Sequence, residues 1–294
     1  MRQPVRPHTR VAGSAPSAPT AVTSITSDGA ASVAFLAPAD TGNSAITSYT
    51  VTPYVGATPQ SPTTVGVGST TTIAASNGST YRRAAVTGLT NGTAYTFTVK
   101  ATNNDGTGPD STASGANTPL SGLVFGDEFN GPVGENLDPE WWVYDRCGFL
   151  AQNEIQWYKP SHCVLTGDGR LQVRAQQLST SGPRYPSDPS YPGTINQPWR
   201  SGACQSNTRL FTPTSGNTMT FEARFQVNAH AGDGFWPGFF WLEGQTYLNT
   251  WKTDPIQEGW DDTGKAEIDV AEWNQSGAPG NYGNVSWAGS NEIT

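Results

Sequence analysis

Apolar residues in this chain come in short runs that alternate with polar ones and are cut off by Gly, Pro, Asn and Ser. Residues 31–36 (ASVAFL), 46–52 (ITSYTVT) and 95–101 (YTFTVKA) are the clearest early examples. A period of two sends successive side chains to opposite faces of a strand. The Val, Thr, Tyr and Phe that fill these runs suit a pleated, half-buried surface. With 33 Gly, 22 Pro and only 14% charged residues, short strands and turns are favoured over helices. An all-β chain is expected, and 294 residues leave room for two domains. No apolar run approaches the roughly 18 residues of a membrane span, so no membrane partner is expected. Residues 1–16 are basic and Pro-rich without an apolar segment. They read as a flexible leader or the edge of a fragment, and not as a complete signal peptide.

Residues 17–118 form the first expected domain, with turn clusters at sandwich-like intervals. Residues 89–95 (LTNGTAY) read as the approach to a tyrosine corner, in which a Tyr hydroxyl ties back to upstream backbone. Asn103, Gly106, Gly108 and Pro109 complete the pattern. On these residues the segment resembles fibronectin type III modules, with Phe35 where such modules often carry a core Trp. It holds no cluster of acids, His or Cys that could do chemistry. A spacer is expected, with contact to carbohydrate or a cell wall as the alternative. Residues 119–122 (PLSG) read as a linker.

Residues 123–294 differ in character. Nine of the ten Trp lie between Trp141 and Trp273, and the net charge from Ser121 onwards is −10, against +2 before it. Such acidity disfavours nucleic acid, which needs a basic surface, and sulfated polysaccharides as well. A neutral glucan is the expected partner.

Within this segment, residues 264–273 (GKAEIDVAEW) place three carboxylates in six positions. Strand alternation puts Glu267 and Asp269 on one face and Ile268 and Val270 on the other. Glu272 has the wrong parity unless one extra residue, at Val270 or Ala271, makes a β-bulge; bulges are common beside active sites. Crowded like charges push one pKa up, so one group can stay protonated while its neighbour is ionised. Retaining glycoside hydrolysis needs that division, with the two carboxyls about 5–5.5 Å apart. Along a flat strand Glu267 and Glu272 are roughly 13 Å apart, so concavity and inward-leaning side chains must close the gap. A solvated strand face is the bland alternative.

Residues 234–244 (GFWPGFFWLEG) are the second signal. Alternation cannot bury all five aromatics, and aromatic faces suit the apolar faces of sugar rings. Trp236 and Trp241 are the platform candidates; Trp273 and Trp260 rank below them. Residues 185–199, rich in Pro, Tyr and Ser, read as a loop rimming a cleft. Residues 164–175 (VLTGDGRLQVRA) read as a hairpin turning at Gly-Asp-Gly.

The acidic stretch, the Trp-Pro-x-Phe-x-Trp run and residues 125–131 (FGDEFNG), 152–158 (QNEIQWY) and 206–211 (SNTRLF) together resemble glycoside hydrolase family 16 in its bulged, laminarinase-like form. The resemblance implies a concanavalin A-like jelly-roll β-sandwich and endo-acting, retaining hydrolysis of a β-glucan, with β-1,3 links first. It implies Glu267 as nucleophile, Glu272 as acid/base and Asp269 tuning Glu267. Arg209 would face the substrate groove or pair with a nearby acid. No cofactor is required, but a structural calcium ion is a family feature. Glu128 and the Gly167 loop are its candidates, against an exposed acid and a simple turn. Residues 282–289 (YGNVSWAG) resemble a family strand in which Ser286 replaces a His. Family sandwiches continue with more strands, so the second domain, ending at Thr294, reads as incomplete. The runner-up function is a non-catalytic glucan-binding module, and a structural wall protein comes third.

Cys147, Cys163 and Cys204 fit no metal spacing, and the odd count leaves the pairing of any disulfide open. Low charge density and polar turns point to secretion, and a monomer is expected. His8, His162 and His230 read as surface residues.

Overall fold

The structure, a computed structural model, describes residues 13–134, 137–147, 155–183, 193–207, 238–243 and 267–272, the last two segments by their backbone. The described elements are strands, apart from short 3-10 turns. The chain separates into two compact units. The larger runs through Gly148 and adds residues 155–180 and 196–207; the smaller contains the rest, including the two C-terminal strands.

Nine strands precede residue 108: β1 (Thr20–Ser27), β2 (Ala30–Leu36), β3 (Ile46–Val55), β4 (Thr58–Pro59), β5 (Thr63–Gly66), β6 (Thr71–Ala74), β7 (Thr80–Thr87), β8 (Thr96–Asn103) and β9 (Gly106–Thr107). They form two antiparallel sheets, β1-β2-β7-β6 and β4-β3-β8-β9, with β5 on β3. Val33, Phe35, Val51, Phe97 and Val99 are wholly buried between the sheets. On β8 the alternation is nearly direct, with Phe97, Val99 and Ala101 inward and Thr96, Lys100 and Thr102 less buried. Phe35 fills the place read as an expected Trp, its ring 4.8 Å from that of Tyr49 across the sandwich. The tyrosine corner is present: the Thr90 amide donates to the Tyr95 hydroxyl at 3.1 Å.

Residues read as a linker fold back along β1. The Gly122 amide donates to Asp28 Oδ2 at 2.9 Å, and the Asp28 amide donates to the Leu123 carbonyl at 2.8 Å. Thr26 and Gly126 then exchange backbone hydrogen bonds of 3.0 and 2.9 Å. An open strand edge invites mispairing; here the chain covers part of its own edge.

Beyond it lie β10 (Trp141–Val143), β11 (Arg146–Cys147), β12 (Gln156–Tyr158), β13 (Cys163–Leu165), β14 (Leu171–Val173), β15 (Ala175–Pro183), β16 (Thr194–Ser201) and β17 (Cys204–Ser206). β10 pairs β17, β13 pairs β14, and β11-β12-β16-β15 form a four-stranded sheet in which β12 and β16 run parallel. The hairpin read at residues 164–175 is β13–β14, with Leu165 opposite Leu171. The loop expected over residues 185–199 gives way to strand from Thr194, where Thr194, Ile195 and Trp199 supply β-favouring side chains. Leu137, Val143, Cys163 and Leu165 form a small core, with Phe129, Trp141, Leu171 and Cys204 against it. His162, expected at the surface, is 5% exposed, tucked in by the short turn Pro160–His162.

β18 (Gly238–Glu243) and β19 (Glu267–Glu272) form an antiparallel pair in the smaller unit.

Candidate active site

The β18–β19 ladder brings two separately read stretches together. Glu267 lies opposite Glu243, Ile268 opposite Leu242, and Asp269 opposite Trp241. The next pair is Ala271 with Phe240, so the ladder steps over Val270; Gly238 then meets Glu272, stepping over Phe239. Each strand therefore carries one unpaired residue, the mark of a bulge. An extra residue at Val270 returns position 272 to the parity of positions 267 and 269, at one of the two places where the acid spacing calls for it.

Directly opposed positions share a face of an antiparallel pair. By register, positions 241 and 243 of β18 thus join positions 267 and 269 of β19. Glu243 was not singled out from sequence, because it follows the aromatic run and matches no acid spacing of its own. Only pairing shows it opposite Glu267. Two acids at opposed positions destabilise a ladder, a cost met more often at functional sites than elsewhere. Gly238, opposite Glu272, adds no side chain there. Trp236, Arg209, Trp273, Trp260 and Ser286 lie outside the described residues.

Glu128 is described, and its carboxylate is engaged. Oε1 accepts from the Thr118 amide at 3.0 Å and Oε2 from Asn130 Nδ2 at 3.1 Å. The Gly167–Gly169 turn lies beside it: a Cβ on Gly169 would be 2.8 Å from Asn130 Oδ1 and 3.5 Å from the Glu128 carbonyl. With φ of +79° as well, Gly169 answers to both conformation and space. Calcium takes six to eight oxygen ligands. Among the described residues no group of three or more His, Cys, Asp or Glu could hold a metal ion. Glu128 acts here as a brace between residues 118 and 130.

A second acidic cluster went unnoticed in the sequence because its members have no regular spacing. Asp127 accepts from the Phe129 amide and from Trp141 Nε1, both at 2.8 Å; burial pushes its pKa up to about 6. Asp138 accepts from the Glu140 amide at 2.9 Å; burial, aided by Asp127 and Glu140, pushes it up to about 7. The Thr23 hydroxyl favours the charged form of Asp138. Yet among the described residues neither Thr23 Oγ1 nor Asp138 Oδ2 completes a well-formed hydrogen bond. Both acids line a cavity of about 30 Å³ with Val22, Asn117 and Leu165. That is room for about one water, not for a sugar, so this cluster is structural.

Residues 14–116 match the family described as Fibronectin type III domain, and this part of the chain is such a domain. Among solved structures, the chain is similar to domains A168-A170 from titin, at 24% identity over 36% of this chain and 32% of that one, with a TM-score of 0.27. Titin kinase with its flanking domains follows, at 24% identity over 36% of this chain and 17% of that one, TM-score 0.26. A myokine structure is similar at 20% identity over 36% of this chain and 99% of that one, TM-score 0.26. The chain thus spans about a third of the length of the first of these. No curated protein matches it.

Proposed function

We propose that the segment after the fibronectin type III domain is an endo-acting, retaining glycoside hydrolase of family 16 type, acting on a neutral β-glucan with β-1,3 links first. In this reading Glu267 attacks the anomeric carbon while Glu272 protonates the departing glycosidic oxygen. A glycosyl ester on Glu267 results. Glu272, now ionised, takes a proton from water, which attacks the same carbon, displaces the Glu267 carboxylate and restores the configuration. Asp269, between them on the strand, hydrogen-bonds Glu267 and keeps the two carboxyls in different protonation states. Trp236 and Trp241 hold the chain of sugars, with Arg209 and Trp273 beside them. The fold that goes with this reading is a jelly roll, and the protein is secreted and monomeric.

The observation that carries the reading is the skipped residue in the β18–β19 ladder. Among ordinary surface acids there is no reason for the irregularity to fall between Asp269 and Glu272, where it repairs their parity. The ladder also supports Trp241 as a platform, since its position opposes Asp269.

The second reading, a glucan-binding module without activity, is favoured by Ser286 in place of the family His. Sugar release from laminarin-type glucan and retention on the insoluble polymer separate the two. For the hydrolase, Glu267→Gln abolishes release and leaves retention intact. Retention by the wild-type chain with no release at any pH from 4 to 9 decides for the module.

A further inference from the structure

We propose that Cys163 and Cys204 are a disulfide-forming pair that staples the β13–β14 hairpin to β17. Cys163 opens β13 and Cys204 opens β17. Cys163 belongs to the small apolar core of Leu137, Val143 and Leu165, and Cys204 packs against it. Both are free thiols at the same small apolar cluster. The approach is enforced by backbone. Gly202, two residues before Cys204, passes so close that a Cβ there would sit 2.5 Å from the His162 carbonyl and 2.7 Å from Cys163 Sγ. The Gly202 amide donates to the Arg174 carbonyl at 3.1 Å, and the Arg174 amide donates to the His162 carbonyl at 2.9 Å. The residue before Cys163 and the residue two before Cys204 are thus tied together through the Arg174 backbone.

A metal site is the rival use for two cysteines near a histidine. His162 does adjoin Cys163, but its Nδ1 is 3.2 Å from Ser161 Oγ. Among the described residues no three such ligands converge.

Closure needs an external disulfide as oxidant. The thiolate attacks a sulfur and expels a thiolate. Contact with Cys204 and burial together hold the Cys163 thiol well above the ordinary range, and it is buried where Cys204 is only half-buried. Cys204 therefore reacts first, forming a mixed disulfide and releasing one thiol. Cys163 then gives up its proton and attacks the Cys204 sulfur, releasing the second. The two cysteines lose two electrons and two protons, and the oxidant becomes two thiols.

The test uses the whole chain, reduced, then equilibrated with glutathione disulfide, alkylated and mapped by mass spectrometry. The expected product is lighter than the reduced chain by about 2 Da, links the Cys163 and Cys204 peptides, and carries alkyl only on Cys147. Its melting temperature lies above that of the reduced chain. The rise persists in Cys147→Ser and vanishes in Cys204→Ser. Alkylation of all three cysteines, a glutathione adduct that stays on Cys204, or a bridge that includes Cys147 overturns the proposal. The wild-type peptide map alone decides this if a variant fails to fold.

Discussion

Glu140, in the segment that follows the fibronectin type III domain, is 1% exposed and ion-paired with Arg83 on β7 of that domain. The two sit beside Asn207, whose side-chain amide donates to the Ala74 and Pro139 carbonyls, both at 2.7 Å. Removing one partner of a buried pair leaves an uncompensated charge and costs about 3–5 kcal/mol. Arg83 is 22% exposed on its side chain, so water screens the pair and the lower end applies. Arg83→Ala is expected to cost about 3 kcal/mol, and Arg83→Met with Glu140→Leu to recover most of it. Urea unfolding of the three proteins measures both. A cost for Arg83→Ala under about 0.5 kcal/mol would show that the pair behaves as an ordinary surface contact.

Tyr95→Phe removes the hydroxyl that accepts from the Thr90 amide. The ring stays in the core, 6.4 Å from that of Phe97, and Thr90 is exposed, so the loss is one hydrogen bond, about 0.5–1.5 kcal/mol. The urea midpoint should fall with no change in slope.

Asp138 gives a pH dependence whose sign is opposite to that of a salt-bridged carboxylate. Its folded pKa, raised to about 7, lies above the unfolded value near 3.9, so between these limits the folded chain binds more protons. Stability is therefore full below about pH 4 and lost as pH rises towards 7. The loss is on the order of 2–4 kcal/mol. Asp127, raised to about 6, adds in the same direction. Asp138→Asn keeps the acceptor for the Glu140 amide and removes the titration. It should flatten the fall and melt higher than wild type at pH 8. An unchanged slope in the variant would remove Asp138 from the account.

How much of this was legible in the sequence depended on whether the signal was local. Tyr95 and its corner, the hairpin at Gly167–Gly169 and the inward positions of β8 follow from turn chemistry and a period of two, and the structure has all three. The irregularity at Val270 was legible because positions 267, 269 and 272 cannot have one parity without it. Contacts between distant residues were not. Nothing near Arg83 announces Glu140, and nothing near Cys204 announces Cys163. The spacing of Asp127 and Asp138 matches no motif. The fold-back of residues 119–126 onto β1 was hidden by a Pro-Leu-Ser-Gly composition that reads the same in a free linker and a tight turn. Trp236, Arg209 and Trp273 stay at the level of motif.

Glu243 opposite Glu267 carries a prediction for the proposed enzyme. A like charge at the opposed position raises the pKa of a nucleophile that must be ionised. Glu243→Gln should move the acidic limb of the kcat/KM profile to lower pH, by roughly 0.5–1 unit. A limb that stays in place would mean that Glu243 does not act on Glu267.

The proposed hydrolase stands or falls on retaining chemistry by the acid trio. Proton NMR of the first products released from a soluble β-1,3-glucan tests this most directly. The β-anomer should accumulate before mutarotation, and Glu267→Gln should yield none. First appearance of the α-anomer, or equal release by wild type and Glu267→Gln, would contradict it.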